Sequence, residues 1–163
     1  MSEPSRSLYR LERVASIALP LPDGLRQRTI TDGDDGALAG LMERAYAGTV
    51  DEQLGGNSDG AVEVAEWRAA GPLGEVSVAL VDDHDTVVAA AMCSGSLADK
   101  VWISYVITEP AWKGRGLGTA AVAESVRRIR ERADVDVLAG VTDGNVPSER
   151  LLATVGFERL GPV

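Results

Sequence analysis

Cysteine, histidine and positive charge are all scarce in this chain, and no apolar run reaches the length of a membrane span. Cys93 is the sole cysteine, so no intrachain disulfide can form and nothing points to an oxidising compartment. It follows the apolar "VVAAAM" and reads as a small buried strand residue rather than a nucleophile. The one histidine, His84, lies between Asp83 and Asp85 in a stretch whose aspartates a turn already explains, so no metal is expected. Arg6, Arg10 and Arg13 ahead of "VASIALPL" imitate a signal peptide, but Glu3 and Glu12 interrupt the basic stretch and no small-residue cleavage site follows. The expectation is a soluble cytoplasmic protein without a membrane partner. A net charge of −9 is a poor match to a phosphate backbone, which excludes a nucleic-acid binder. A negative field gathers cations such as an amine, although it also simply keeps a surface solvated.

The 163 residues, 45% hydrophobic, fit one domain over 1–163, with 1–24 a leader that ends at the "PLPDG" turn. The leader is expected to hold a strand near Val14 to Leu19. "LRQRTIT" alternates like an edge strand, and "ALAGLMERAY" puts Leu38, Leu41, Met42 and Ala45 on one helical face. After the polar "GTVDEQLGGNSDG", "AVEVAEWRAA" reads as a short helix, "EVSVALV" and "TVVAAAMCS" as a hairpin, and "KVWISYVIT" as a further strand. A helix from about Gly116 stacks Val122, Val126, Ile129 and Ala133 into a buried stripe. The strand "VDVLAGVT", the helix "PSERLLATV" and the strand "GFERLGPV" complete a mixed α/β order.

"AWKGRGLGTAA", at 111–121, crowds two cations into a helix N-terminus, where the unpaired N–H groups already carry partial positive charge. A P-loop is excluded because no lysine stands between Gly118 and Thr119. Gly116, Gly118 and Ala121 satisfy a dinucleotide fingerprint, but seven residues separate Thr108 from Gly116, and the acid such a fold needs would be Asp143, 27 positions on. A backbone cradle for a pyrophosphate resolves the excess of charge. The N–H groups of Gly114, Arg115, Gly116, Leu117, Gly118 and Thr119 would meet phosphate oxygens, with Lys113 and Arg115 adding charge and Thr119 a hydroxyl.

"KGRGLG", with Lys113, Gly116 and Gly118, resembles the pyrophosphate loop Q/R-x-x-G-x-G/A of the GNAT superfamily of acyl-CoA-dependent N-acyltransferases, lysine being a mild departure. "NVPSERLLATVGF" is similar to that family's N-x-x-[A/S] helix ending in Gly-Phe, with Asn145, Ser148, Gly156 and Phe157 in register. The resemblance covers about Leu25 to Val163. It implies a mixed, largely antiparallel sheet flanked by helices, with two parallel strands, "WISYVIT" and "VLAGVT", splayed to admit acetyl-CoA. It implies that Val106, Ile107 and Thr108 pair with the pantetheine arm, that Val106 or Ile107 supplies an oxyanion N–H, and that Asn145 and Ser148 belong to the cofactor site. The implied reaction moves an acetyl group directly to a primary amine of a small molecule or protein.

Departures from the pattern fall on the catalytic positions. Leu152 stands where family members carry a tyrosine acid, and Trp102 where some carry a glutamate base. Tyr105 and Tyr46 are the candidate replacements for the acid, Ser104 could order a water, and Asp51 and Glu52 in the polar loop could bind the acceptor. Trp67, Trp102 and Trp112 read as packing residues. The chain also ends six residues after Phe157, before the strand that usually follows. The leader strand, or a second copy in a homodimer, is expected to fill that edge. A non-catalytic acyl-CoA-binding module and a dinucleotide-dependent oxidoreductase are the alternatives.

Overall fold

The computed structural model describes residues 5–15, 20–49 and 59–163. Seven strands form one sheet: β1 (Arg6–Leu11), β2 (Arg26–Thr29), β3 (Val78–Val81), β4 (Val87–Gly95), β5 (Lys100–Thr108), β6 (Asp136–Thr142) and β7 (Phe157–Pro162). Their order is β2-β3-β4-β5-β6-β1-β7, and every neighbouring pair is antiparallel except β5–β6. Helices α1 (Asp35–Tyr46) and α2 (Gly60–Ala69) cover one face, and α3 (Leu117–Arg132) and α4 (Val146–Val155) the other. β3 and most of β4 are buried and read as continuous apolar runs, as strands covered on both faces do.

Each helix turns its apolar stripe to the sheet. Leu38, Leu41, Met42 and Ala45 of α1 are all buried, as their spacing predicts. α2 starts at Asp59, whose side chain caps the Ala61 and Val62 N–H groups (3.0 and 3.2 Å). Gly60 allows α2 to lie against α1, because a Cβ there would stand 2.1 Å from the Ala39 carbonyl oxygen. On α3, Val122, Val126 and Ile129 are buried, but Ala133 is a half-exposed C-cap outside the stripe, since the helix stops at Arg132. The expected strand at "EVSVALV" begins only at Val78, because Gly74–Val76 makes a 3-10 turn first.

The leader strand lies earlier than expected. β1 runs from Arg6 to Leu11, whereas Val14 and Ala15 are outside any strand and 16–19 lie outside the described residues. In "RSLYRL" the residues alternate, Ser7, Tyr9 and Leu11 buried against α3 and α4 while Arg6, Leu8 and Arg10 face the other way. Arginine on the open face hides such a strand from a search for apolar runs. β1 is also not an edge: it is inserted between β6 and β7 and pairs with both.

Candidate active site

Two local features open the sheet between β5 and β6. Their parallel pairing extends only over Lys100–Trp102 and Asp136–Leu138, after which the strands diverge where the two strands were expected to splay. A bulge opposite Met92 and Cys93 then interrupts β5. Ile103 packs on the α3 side, yet Tyr105, two residues on, packs on the α1–α2 side, so the inserted residue has changed the face that the side chains meet. Past the bulge, Val106 and Thr108 face α3 and Ile107 is buried under α1. A cleft of about 1240 Å³ follows this divergence, larger than a usual single-ligand site and roomy enough for two reactants.

One wall of the cleft is the loop at 113–119. Gly114 and Gly116 have φ of +80° and +77°, and a Cβ on either would meet nothing within 4 Å, so the loop needs glycine for its turn and leaves open space around it. The first helical bond of α3 is Ala120 N–H to the Gly116 carbonyl (3.0 Å), which leaves the N–H groups of Leu117, Gly118 and Thr119 without a backbone acceptor. No side chain caps this end and no acidic residue stands in its first turn. Gly118 is small for a different reason: a Cβ would approach Leu151 Cδ1 to 2.9 Å and Val106 Cγ1 to 3.4 Å. An unfilled set of amides at the positive end of a 16-residue helix fits an anionic phosphate group.

The two cations at this loop are placed differently from the sequence-based expectation. Lys113 Nζ donates to the Ala45 carbonyl (3.0 Å) at the C-terminal end of α1, where it complements the dipole of that helix. The Arg115 guanidinium stacks on Trp112, 4.9 Å from the ring centre. Asn145 caps α4, its Oδ1 accepting from the Ser148 N–H (3.3 Å), and both residues line the cleft. Ile107 is a correction. Glu109 N–H bonds to the Val88 carbonyl (2.8 Å), and antiparallel alternation therefore turns the Ile107 N–H toward β4 and the Val106 N–H into the gap.

The opposite wall carries acid–base groups. Tyr105 Oη donates to Glu63 Oε2 (2.5 Å), and burial, followed by the Glu63 carboxylate, pushes the phenol well above its ordinary value. Glu66 lies one helical turn from Glu63 and also lines the cleft. Neither glutamate is among the sequence candidates; the signal was their i, i+3 spacing in "AVEVAEWRAA", which puts both on one side of α2. Ser104 shares a hydrogen bond with Ser94 (2.6 Å) at the bulge. Tyr46 lines the cleft from the end of α1, while Asp51 and Glu52 lie outside the described residues. Leu152 is buried in the core. Trp67 is buried and its Nε1 donates to the Cys93 carbonyl (3.0 Å), whereas Trp102 is half-exposed in the cleft wall. Cys93 is fully buried, and desolvation pushes its thiol up to about 12, so it is inert.

The acetyltransferase (GNAT) family model matches residues 43–157, spanning the β5–β6 divergence, the glycine loop and α4. The chain belongs to the acetyltransferase (GNAT) family. Solved GNAT-fold structures agree with this at the level of fold. A GCN5-related N-acetyltransferase from Sphaerobacter thermophilus superposes with a TM-score of 0.70 at 20% identity, over 98% of this chain and 50% of its own. The ribosomal-protein-S18-alanine N-acetyltransferase of Escherichia coli gives 0.64 at 17% identity, over 81% and 76%. The yncA protein of Salmonella typhimurium, solved with its cofactor acetyl-CoA, gives 0.65 at 20%, over 83% and 80%. The chain thus spans about half the length of the first of these. No curated protein matches it in sequence. GNAT enzymes use acetyl-CoA as their acyl donor.

Proposed function

We propose that the chain is an acetyl-CoA-dependent N-acetyltransferase that moves the acetyl group directly to a primary amine of a small molecule or protein. One observation carries the reading. A single cleft joins uncapped helix amides on the α3 side of the sheet to a Tyr105–Glu63 pair on the α1–α2 side. Bound along β5, the cofactor supplies a thioester and a thiol leaving group. The amides of Leu117, Gly118 and Thr119 hold its pyrophosphate, Thr119 adds its hydroxyl, and Asn145 and Ser148 close the site from α4. Val106, whose N–H faces the gap, stabilises the oxygen on which negative charge develops. Ile107 serves only to hold β5 in the core.

Glu63 takes the proton of the incoming ammonium, and Tyr105, kept neutral, returns one to the departing sulfur. The demand on Tyr105 is modest, because a thiol of pKa about 8.5 leaves readily as thiolate. Ser104 orders the acceptor or a water beside Trp102. Tyr46 lines the rim, and Asp51 and Glu52, outside the described residues, would bind the acceptor. With this reading goes a cytoplasmic enzyme with no membrane or nucleic-acid partner. The acidic balance supports the absence of a nucleic-acid partner.

Thiol release from acetyl-CoA across an amine library tests the proposal. Turnover with at least one amine is expected, reduced about a hundredfold or more in Glu63→Gln. Acetyl-CoA binding with no thiol release for any amine would instead make the chain a binding module.

A further inference from the structure

Resting on that transferase reading, the structure assigns a class of acceptor: we propose an amine that also carries a carboxylate, as an amino acid does, with Arg6 taking the carboxylate. Arg6 stands opposite Thr142 in the β1–β6 ladder, on the face that also presents Leu8 and Gly140 and away from Tyr9 and the α3 core. That is the α1–α2 side, the side of Tyr105 and Glu63. Arg6 Nη2 donates to the Gly140 carbonyl (3.1 Å), so the fork is held across β6 at the divergence. Its approach explains Gly140, where a Cβ would stand 3.2 Å from the same nitrogen.

Among the described residues no carboxylate lies within ion-pair distance of Arg6, and of the two arginines that line the cleft, Arg6 and Arg150, it is Arg6 that acts on the Tyr105 phenol, Arg150 standing on α4 at the other face. The charge is therefore presented to the cleft that Arg6 lines. The Tyr105 phenol feels Glu63, Glu66 and Arg6 together, which places both signs around the reacting position. A simple cation would be drawn by the two glutamates and repelled by the arginine. A zwitterion satisfies all three: its ammonium lies toward Glu63 and Glu66, and its carboxylate takes the donors of the planar fork. The bond formed is between the amine nitrogen and the acetyl carbon, the bond broken is that carbon's link to sulfur, and the ammonium proton goes to Glu63; the carboxylate is only a handle.

Thiol release with the common amino acids, each beside its carboxamide and its decarboxylated amine, tests this. The acid should exceed the carboxamide in kcat/KM by roughly tenfold to a hundredfold, the range of a charge-assisted contact. Arg6→Gln should abolish that ratio and Arg6→Lys restore part of it. In calorimetry on CoA-loaded protein, the acid should likewise bind more tightly than the amide, and lose that advantage in Arg6→Gln. Equal use of carboxylate-free amines, activity confined to peptides, or an Arg6→Gln loss shared by acid and amide would each overturn the assignment while leaving the transferase reading intact. Failure to bind acetyl-CoA would remove both.

Discussion

At the scale of single residues, the site depends on groups whose roles follow from their neighbours more than from their names. Tyr105 was readable as a candidate because it lies on the splayed strand, but its partner was not, since Glu63 is 42 positions away on helix α2. The bulge that aims Tyr105 at Glu63 involves no proline or glycine on β5, and its only sign is a shift in pairing. Lys113 shows the converse. Its proximity to the glycines suggested a phosphate contact, yet its ammonium meets the Ala45 carbonyl on a helix that only the fold brings near.

The raised pKa of Tyr105 has a definite sign. An acid raised above its unfolded value of about 10 favours folding through its neutral form. That contribution is complete below pH 10 and is lost as pH rises through 10 toward the higher folded value. Tyr105 should therefore remain a proton donor across the working range. Tyr105→Phe should lower kcat about a hundredfold at every pH below 10, without creating or removing an inflection there. A wild-type inflection below pH 9 that vanishes in Tyr105→Phe would contradict this.

At the scale of elements, most of the order was legible because the helices and central strands carry strong periodicity. The four buried positions of α1 are those that its spacing picks out. What was displaced was β1, a strand with three arginine-or-leucine positions facing outward, masked by the more apolar "VASIALP" that follows. Its position makes it a structural member, as it separates β6 from β7 and buries Tyr9 and Leu11 at 6% and 5% exposure. Each such side chain contributes about 1.5–3 kcal/mol, and two ladders of backbone bonds are lost with them. Against a total stability of about 5–15 kcal/mol, deletion of residues 1–11 should abolish cooperative thermal unfolding or drive association through the freed edges. A truncated chain that melts cooperatively, as a monomer and at the parent temperature, would refute this role.

At the scale of the whole molecule, the fold supplies one gap in an otherwise continuous sheet and places opposite chemistry on its two sides. The α3 side offers donors without acceptors; the α1–α2 side offers carboxylates, a neutral phenol and Arg6. The glycine loop and the Asn-to-Gly-Phe segment are short-range patterns, which is why a cofactor side can be proposed from the sequence alone. The proposed acceptor side draws on β1, α2, β5 and β6, whose residues share no local pattern, so only the folded chain brings them together.

The central claim is that the amides at the start of α3 hold the pyrophosphate of an acyl-CoA. Calorimetric titration of acetyl-CoA into the intact protein and into Gly116→Asp tests it directly. Aspartate tolerates a positive φ better than most side chains and meets no atom within 4 Å at its Cβ, so the variant should fold while placing an anion at the cradle. The account predicts saturable one-to-one binding to the parent, weakened about a hundredfold or more by the substitution. Undiminished binding to folded Gly116→Asp, or no binding to the parent protein, would contradict it.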